Sequence, residues 1–225
     1  MSTKELQNFK KLVEIVGILR SPEGCPWDRE QDHMTLRENL LEETYESLEA
    51  IEAGDPKMLR EELGDVLLQV VLHAQIAEES GQFDIEDVAK VISDKLIRRH
   101  PHVFSDVKVK DSNEVIENWE AIKKKEKPER KSALSGIAST LPALIMAKEL
   151  SEKAVKTGFE WTNVESLMEC LQSEIDEFKA AVALQGQDEI EDELGDILFS
   201  IVNVARWYKI NPETALLRAN RKFKA

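Results

Sequence analysis

Eight carboxylates of this 225-residue chain fall into two groups of four with one internal spacing. Glu43 and Glu46 precede Glu62-Leu63-Gly64-Asp65; Glu174 and Glu177 precede Glu193-Leu194-Gly195-Asp196. A single offset superimposes all four acids. It also carries Val66-Leu67-Leu68 onto Ile197-Leu198-Phe199 and Ala74 onto Ala205, with no insertion. The chain is therefore read as a duplicated unit. Side chains three apart on a helix share a face, which joins Glu43 to Glu46 and Glu62 to Asp65. The short break Gly54-Asp55-Pro56 makes the two helices antiparallel neighbours, so the four carboxylates converge. Like charges at this spacing destabilise a helix unless something neutralises them. Glycine and aspartate are also poor interior helix residues. The same costs recur in the second copy, which favours a site over a solvated acidic face. The chemistry open to such a cluster is capture of a hard cation.

All-oxygen ligands on rigid helices suit magnesium, or manganese, with water and a bound phosphate completing the shell. Zinc would want histidine or cysteine, and the histidines are only His33, His73, His100 and His102. A di-iron bundle needs Glu-x-x-His, where this chain has Glu-x-x-Asp. Each acidic pair is followed by a helix ending in cations: Lys95, Arg98 and Arg99 in the first copy, Arg221, Lys222 and Lys224 in the second. These are placed either to hold phosphates or to satisfy a helix C-terminus, and spacing does not choose between the two. Among Trp27, Trp119, Trp161 and Trp207, core packing is the expected role, with a base-stacking platform the alternative. His73 is read as a hydrogen-bonded core residue, and Cys25 as structural.

The elements around these residues are helical. The composition is 42% hydrophobic and 33% charged, with 9 glycines and 7 prolines. Helical spacing runs over 3–19, 34–53, 57–80, 85–99, 113–125, 143–156, 164–184, 189–208 and from 212 onward. SPEGCPWD breaks the pattern after the first helix, and 101–112 is read as a loop or marginal strand. An all-α fold of tandem four-helix-type bundles follows. The charged run KKKEKPERKS is the expected linker, dividing a domain at 1–130 from one at 131–225. A net charge of −14 repels duplex nucleic acid and anionic membrane, so neither is an expected partner. It repels phosphates as well, so a phosphate substrate requires bound cations. The opening MSTKELQNFKKLVEIV lacks the apolar core of a signal peptide, and a cytoplasmic location is expected.

Over nearly its whole length the chain resembles the MazG family of all-α nucleoside triphosphate pyrophosphohydrolases. The likeness rests on GCPWD, LLEETYE, EELGDVLLQVV, DKLIRRHPHVF, NWEAIKKKE, GFEW and ELGDILFSIVN. The resemblance implies tandem domains, a homodimer, and magnesium-dependent cleavage of nucleoside triphosphates between the α and β phosphates. It implies Glu174, Glu177, Glu193 and Asp196 as metal ligands of the main active copy, with Lys222 a nucleotide contact. Glu43, Glu46, Glu62 and Asp65 are the first-copy equivalents, with Lys95 and Arg99 on the phosphate side. Glu42, Glu46 and Glu177 are candidates for accepting a proton from water. Two departures stand out. Glu42 is replaced by Ser173 in the second copy, and the family pattern continues with an arginine and a helical tail where this chain ends at Ala225. A helical dimer that binds nucleotides without turning them over is the alternative.

Overall fold

The computed structural model describes residues 6–126, 132, 134–184 and 186–224. It divides into two compact units, 1–123 and 124–225. Every described element is a helix, and none of them is long and apolar enough to cross a membrane. The expected boundary at 130, half of the charged linker and the first residues of the first helix lie outside the described residues.

The first unit contains α1 (Gln7–Leu19), α2 (Pro26–Glu30), α3 (Arg37–Ala53), α4 (Pro56–Glu79), α5 (Ile85–Arg99) and α6 (Pro101–Phe104). The next helix, α7 (Ser112–Glu126), runs across the division. The hinge between α3 and α4 is built from three residues. Gly54 takes the left-handed conformation (φ 66°) that closes α3. Asp55 caps α4 by accepting from the amides of Lys57 and Met58, and Pro56 occupies the first turn. The chain reverses, and α4 packs against α3, α1 and α5. Val16, Leu36, Val71, Leu72 and Ile76 form the core, with Phe9, Leu12 and Ile85 packed around it. A reciprocal Asp84–Asp87 capping box starts α5.

The second unit contains α8 (Ala143–Val155), α9 (Val164–Leu184), α10 (Gln187–Trp207) and α11 (Pro212–Lys224). Here α10 takes the place of α4, packing against α9, α8 and α11. Asn163 caps α9 through the Ser166 amide, and Asn211 caps α11 through Glu213 and Thr214. Leu167 and Val202 are fully buried, but so nearly are the polar Ser151, Ser200 and Asn203.

Two local readings change. From the end of SPEGCPWD, Pro26–Glu30 form α2, because Pro26 is tolerated in a first turn. At 101–112 the alternation gives no strand; Pro101 opens the single turn α6, and Asp111 caps α7 through Asn113 and Glu114.

One arginine ties the first unit together. Arg20, its side chain 5% exposed, donates to both oxygens of Glu79 at 2.9 and 2.8 Å. The same guanidinium donates to the carbonyls of Asp28 and Gln31, so α1, α2 and α4 meet on one group. These bonds hold the Glu79 carboxyl below its ordinary range. Arg20→Ala is expected to cost about 2 kcal/mol, less than a fully buried pair because Glu79 is partly solvated. A depressed carboxylate pKa contributes stability above its unfolded value, so the loss should shrink as pH falls through the carboxylate range. Urea unfolding of Arg20→Ala and Glu79→Gln at pH 7 and pH 3.5 checks both points.

Candidate metal centres

The α3–α4 hinge sets the first site. Glu43 on α3 and Glu62 and Asp65 on α4 each offer an oxygen, all within 4.8 Å of one another, and all three are half-buried. Glu46 is exposed and stands outside this trio, but its charge acts on Glu62. Glu42 is exposed on the flank. Burial, then the charges of Asp65, Glu46 and Glu42, push the Glu43 pKa up. Burial, then Glu46 and Asp65, do the same to Glu62. Each charge raises the cost of its neighbours, the condition a divalent cation relieves.

In the second unit the trio is Glu174, Glu177 and Glu193, again within 4.8 Å. Burial, then Glu177, Asp196 and Glu174, push Glu193 up. Asp196 is exposed and outside the trio, although its charge acts on Glu193. The two trios therefore draw on different members of the repeated four: Asp65 completes the first, Glu177 the second. Ser173, which stands where the first copy has Glu42, donates its hydroxyl to Glu177 at 2.9 Å. That bond holds Glu177 toward the cluster. Both trios could hold a metal ion, and their all-oxygen donor set fits a hard cation.

The second trio borders a cavity of about 360 Å³ inside its unit. Glu174 and Asp196 line it at the acidic end; Phe159, Trp161 and Phe199 supply aromatic wall, and Ser151 and Asn203 a polar floor. Cys170 also lines it, its thiol 3.7 Å from Glu174 Oε1, and burial raises its pKa. The volume suits a small organic ligand. Sequence reasoning missed this cavity. Its walls come from α8, α9, α10 and the GFEW segment, which no local period connects.

The basic candidates divide. Lys95 and Arg99 lie on α5 and Lys222 on α11, helices that pack against the acidic helices α4 and α10. Arg99 stands over the Trp119 ring, 5.6 Å from its centroid, with Lys123 at 5.0 Å. Among the tryptophans, Trp161 lines the cavity and Trp119 carries these cations. His73 is half-buried and stacks on His33, with their Nδ1 atoms 2.8 Å apart.

The comparisons with known proteins agree with this duplicated geometry. The model of the MazG nucleotide pyrophosphohydrolase domain matches twice, at residues 31–104 and 162–225, so each match contains one acidic helix pair. The nucleoside triphosphate pyrophosphohydrolase/pyrophosphatase MazG of Thermotoga maritima is 49% identical over 216 residues, 96% of this chain and 82% of that protein. The nucleoside triphosphate pyrophosphohydrolase of Escherichia coli K12 is 45% identical over 223 residues, 97% of this chain and 85% of its own length. YabN of Bacillus subtilis is 51% identical over 218 residues, 96% of this chain and 45% of that longer protein. Matched by the family model in both halves and by relatives along nearly its full length, this chain belongs to the MazG nucleotide pyrophosphohydrolase family.

Proposed function

We propose that the chain hydrolyses nucleoside triphosphates, deoxy forms included, to the monophosphate and pyrophosphate, with magnesium or manganese held by the carboxylate trios. The observation that carries this reading is the second trio bordering an aromatic-walled cavity. The cavity takes the base-and-sugar end of the substrate, and the carboxylates face its phosphates. Bound metal supplies phosphate charge neutralisation and a more acidic water. Water attacks the α-phosphorus in line, the bond to the bridging oxygen breaks, and pyrophosphate departs. Glu177, steadied by Ser173, accepts the water proton in the second copy; Glu46 and Glu42 are the corresponding bases in the first. Glu174, Glu177 and Glu193, with Asp196 beside them, act as ligands in the second copy, as Glu43, Glu62 and Asp65, with Glu46 beside them, do in the first. Lys95, Arg99 and Lys222 steady the leaving group.

A homodimer in the cytoplasm belongs to the same reading, and the two free cysteine thiols suit a reducing compartment. Large apolar side chains stand exposed on the acidic helices: Leu63 and Leu67 on α4, Leu194 and Leu198 on α10, each 38–53% exposed. A second copy laid on these faces would cover them.

Product analysis and a pair of variants test the proposal. With a mixed nucleoside triphosphate panel and magnesium, the products should be monophosphate and pyrophosphate; diphosphate and free phosphate would sink the reaction. Glu193→Gln should lower turnover about 100-fold while Glu62→Gln leaves most of it; the reverse pattern would move the work to the first copy.

Metal dependence has a stability counterpart. Because the Glu193 pKa is raised in the folded chain, its penalty is absent below the unfolded value near 4.5 and grows as pH climbs through the folded one. Without metal, Glu193→Gln should therefore melt higher than the parent at pH 7 and equal to it near pH 4. Excess magnesium should invert the order at pH 7. A melting temperature indifferent to magnesium would count against the trio as a metal site.

In solution the mass should be twice that of the chain by light scattering. Leu67→Glu with Leu198→Glu should halve it, and a monomeric parent would refute the dimer.

A further inference from the structure

Each unit uses one mostly buried arginine to tie together separate stretches of its chain. In the first unit, Arg20 at the end of α1 reaches the backbone of the α2 segment and the carboxylate of Glu79 on α4. In the second, Arg206 on α10 reaches outward to the segment Gly158–Trp161. Its two terminal nitrogens donate to Glu160 Oε1 and Oε2, each at 2.7 Å. Its Nε donates to Ser151 Oγ at 2.6 Å. The network continues inward: Ser151 Oγ donates to Asn203 Oδ1 at 2.5 Å, and Asn203 Nδ2 to the Phe199 carbonyl at 3.0 Å. Glu160 Oε1 also accepts from the Trp161 amide at 2.9 Å.

The placement of this network relative to the cavity is what matters. Gly158–Trp161 is irregular backbone between α8 and α9, with Gly158 at φ 92° and Phe159 77% exposed. Little apolar packing holds it. Phe159 and Trp161, on either side of Glu160, are two parts of the aromatic wall, while Ser151 and Asn203 are the polar floor. Arg206 itself does not line the cavity. Its side chain is only 10% exposed, and its planar fork fixes wall and floor together. Lysine, a single point charge, cannot reach both Glu160 oxygens and Ser151 in one geometry.

We infer that Arg206 is a positioning residue for the second site: through Glu160 and Ser151 it holds the cavity that takes the nucleoside end of the substrate, and so sets affinity for base and sugar separately from affinity for the triphosphate. This rests on the cavity assignment proposed above. The test uses the full chain with magnesium and with Glu62→Gln and Asp65→Asn, so that the second copy dominates binding. Two probes are titrated calorimetrically: an α,β-methylene nucleoside triphosphate and inorganic tripolyphosphate, which has no nucleoside. Arg206→Lys should weaken the nucleotide analogue at least about tenfold and leave tripolyphosphate within about twofold. Glu160→Gln, which keeps the shape but removes the charge, should show the same selective pattern at smaller size and carries the test if Arg206→Lys fails to fold. Equal weakening of both probes would reduce Arg206 to a general structural role, and no change in either would also overturn the inference. A parent chain that binds the analogue no better than it binds tripolyphosphate would instead remove the cavity assignment itself.

Discussion

Crowding of carboxylates between two antiparallel helices is the constraint on which each unit is organised. Three oxygens of like charge within 4.8 Å are held there only because the helices carrying them are fixed by other contacts. In the first unit that fixing is done by the Gly54–Pro56 reversal, the Asp55 cap and an apolar core farther along the same face of α4. The repulsion shows in the upward displacement of Glu43, Glu62 and Glu193. A chain of net charge −14 repels a polyphosphate, and a cation held at such a point would offset that repulsion. The site and the surface charge are thus two sides of one problem, solved at the same place.

Duplication supplied two such frames, and they have diverged in what surrounds the acids. The repeat places Leu72 opposite Asn203 and Gln69 opposite Ser200. In the first unit Leu72 belongs to a packed apolar cluster. In the second, Asn203 and Ser200 line a cavity, and Asn203 is tied into a polar network. Replacing Glu42 by Ser173 removes one negative charge from an already crowded face and adds a donor for Glu177. What reads in sequence as a lost acid is, in the folded chain, a device for orienting another acid.

The legible and the hidden parts separate along the same lines as local and distant contacts. The trios could be anticipated because three-residue spacing and a short reversal fix which side chains share a face. Helix limits followed from local signals such as Gly54-Asp55-Pro56. The turn at Pro26 was obscured because a proline that breaks a helix interior can also begin one. The division of ligands was not legible either: whether Asp65 or Glu177 completes a trio depends on ångström-scale placement within one repeated pattern. Arg206 and Glu160 lie 46 residues apart, and nothing in the period of either segment joins them. GFEW was visible as a motif, but its part in a cavity wall needed the fold.

Gly64 and Gly195 connect the site to assembly. A glycine inside a helix costs about 1 kcal/mol relative to alanine. Neither position requires it within the unit, since an added Cβ at either would meet no atom within 4 Å. Steric crowding by the chain's own packing therefore does not explain why both copies carry the residue. Each glycine follows an exposed leucine, Leu63 or Leu194, and precedes another, Leu67 or Leu198, by one turn or nearly so. A bare backbone flanked by apolar side chains is a surface another helix can approach closely. On the dimer proposed here, the second copy would press against the very helices that carry Glu62, Asp65, Glu193 and Asp196. The partner would then buttress the acidic helices from the side their own unit leaves open, and assembly would help hold the carboxylates together against their mutual repulsion.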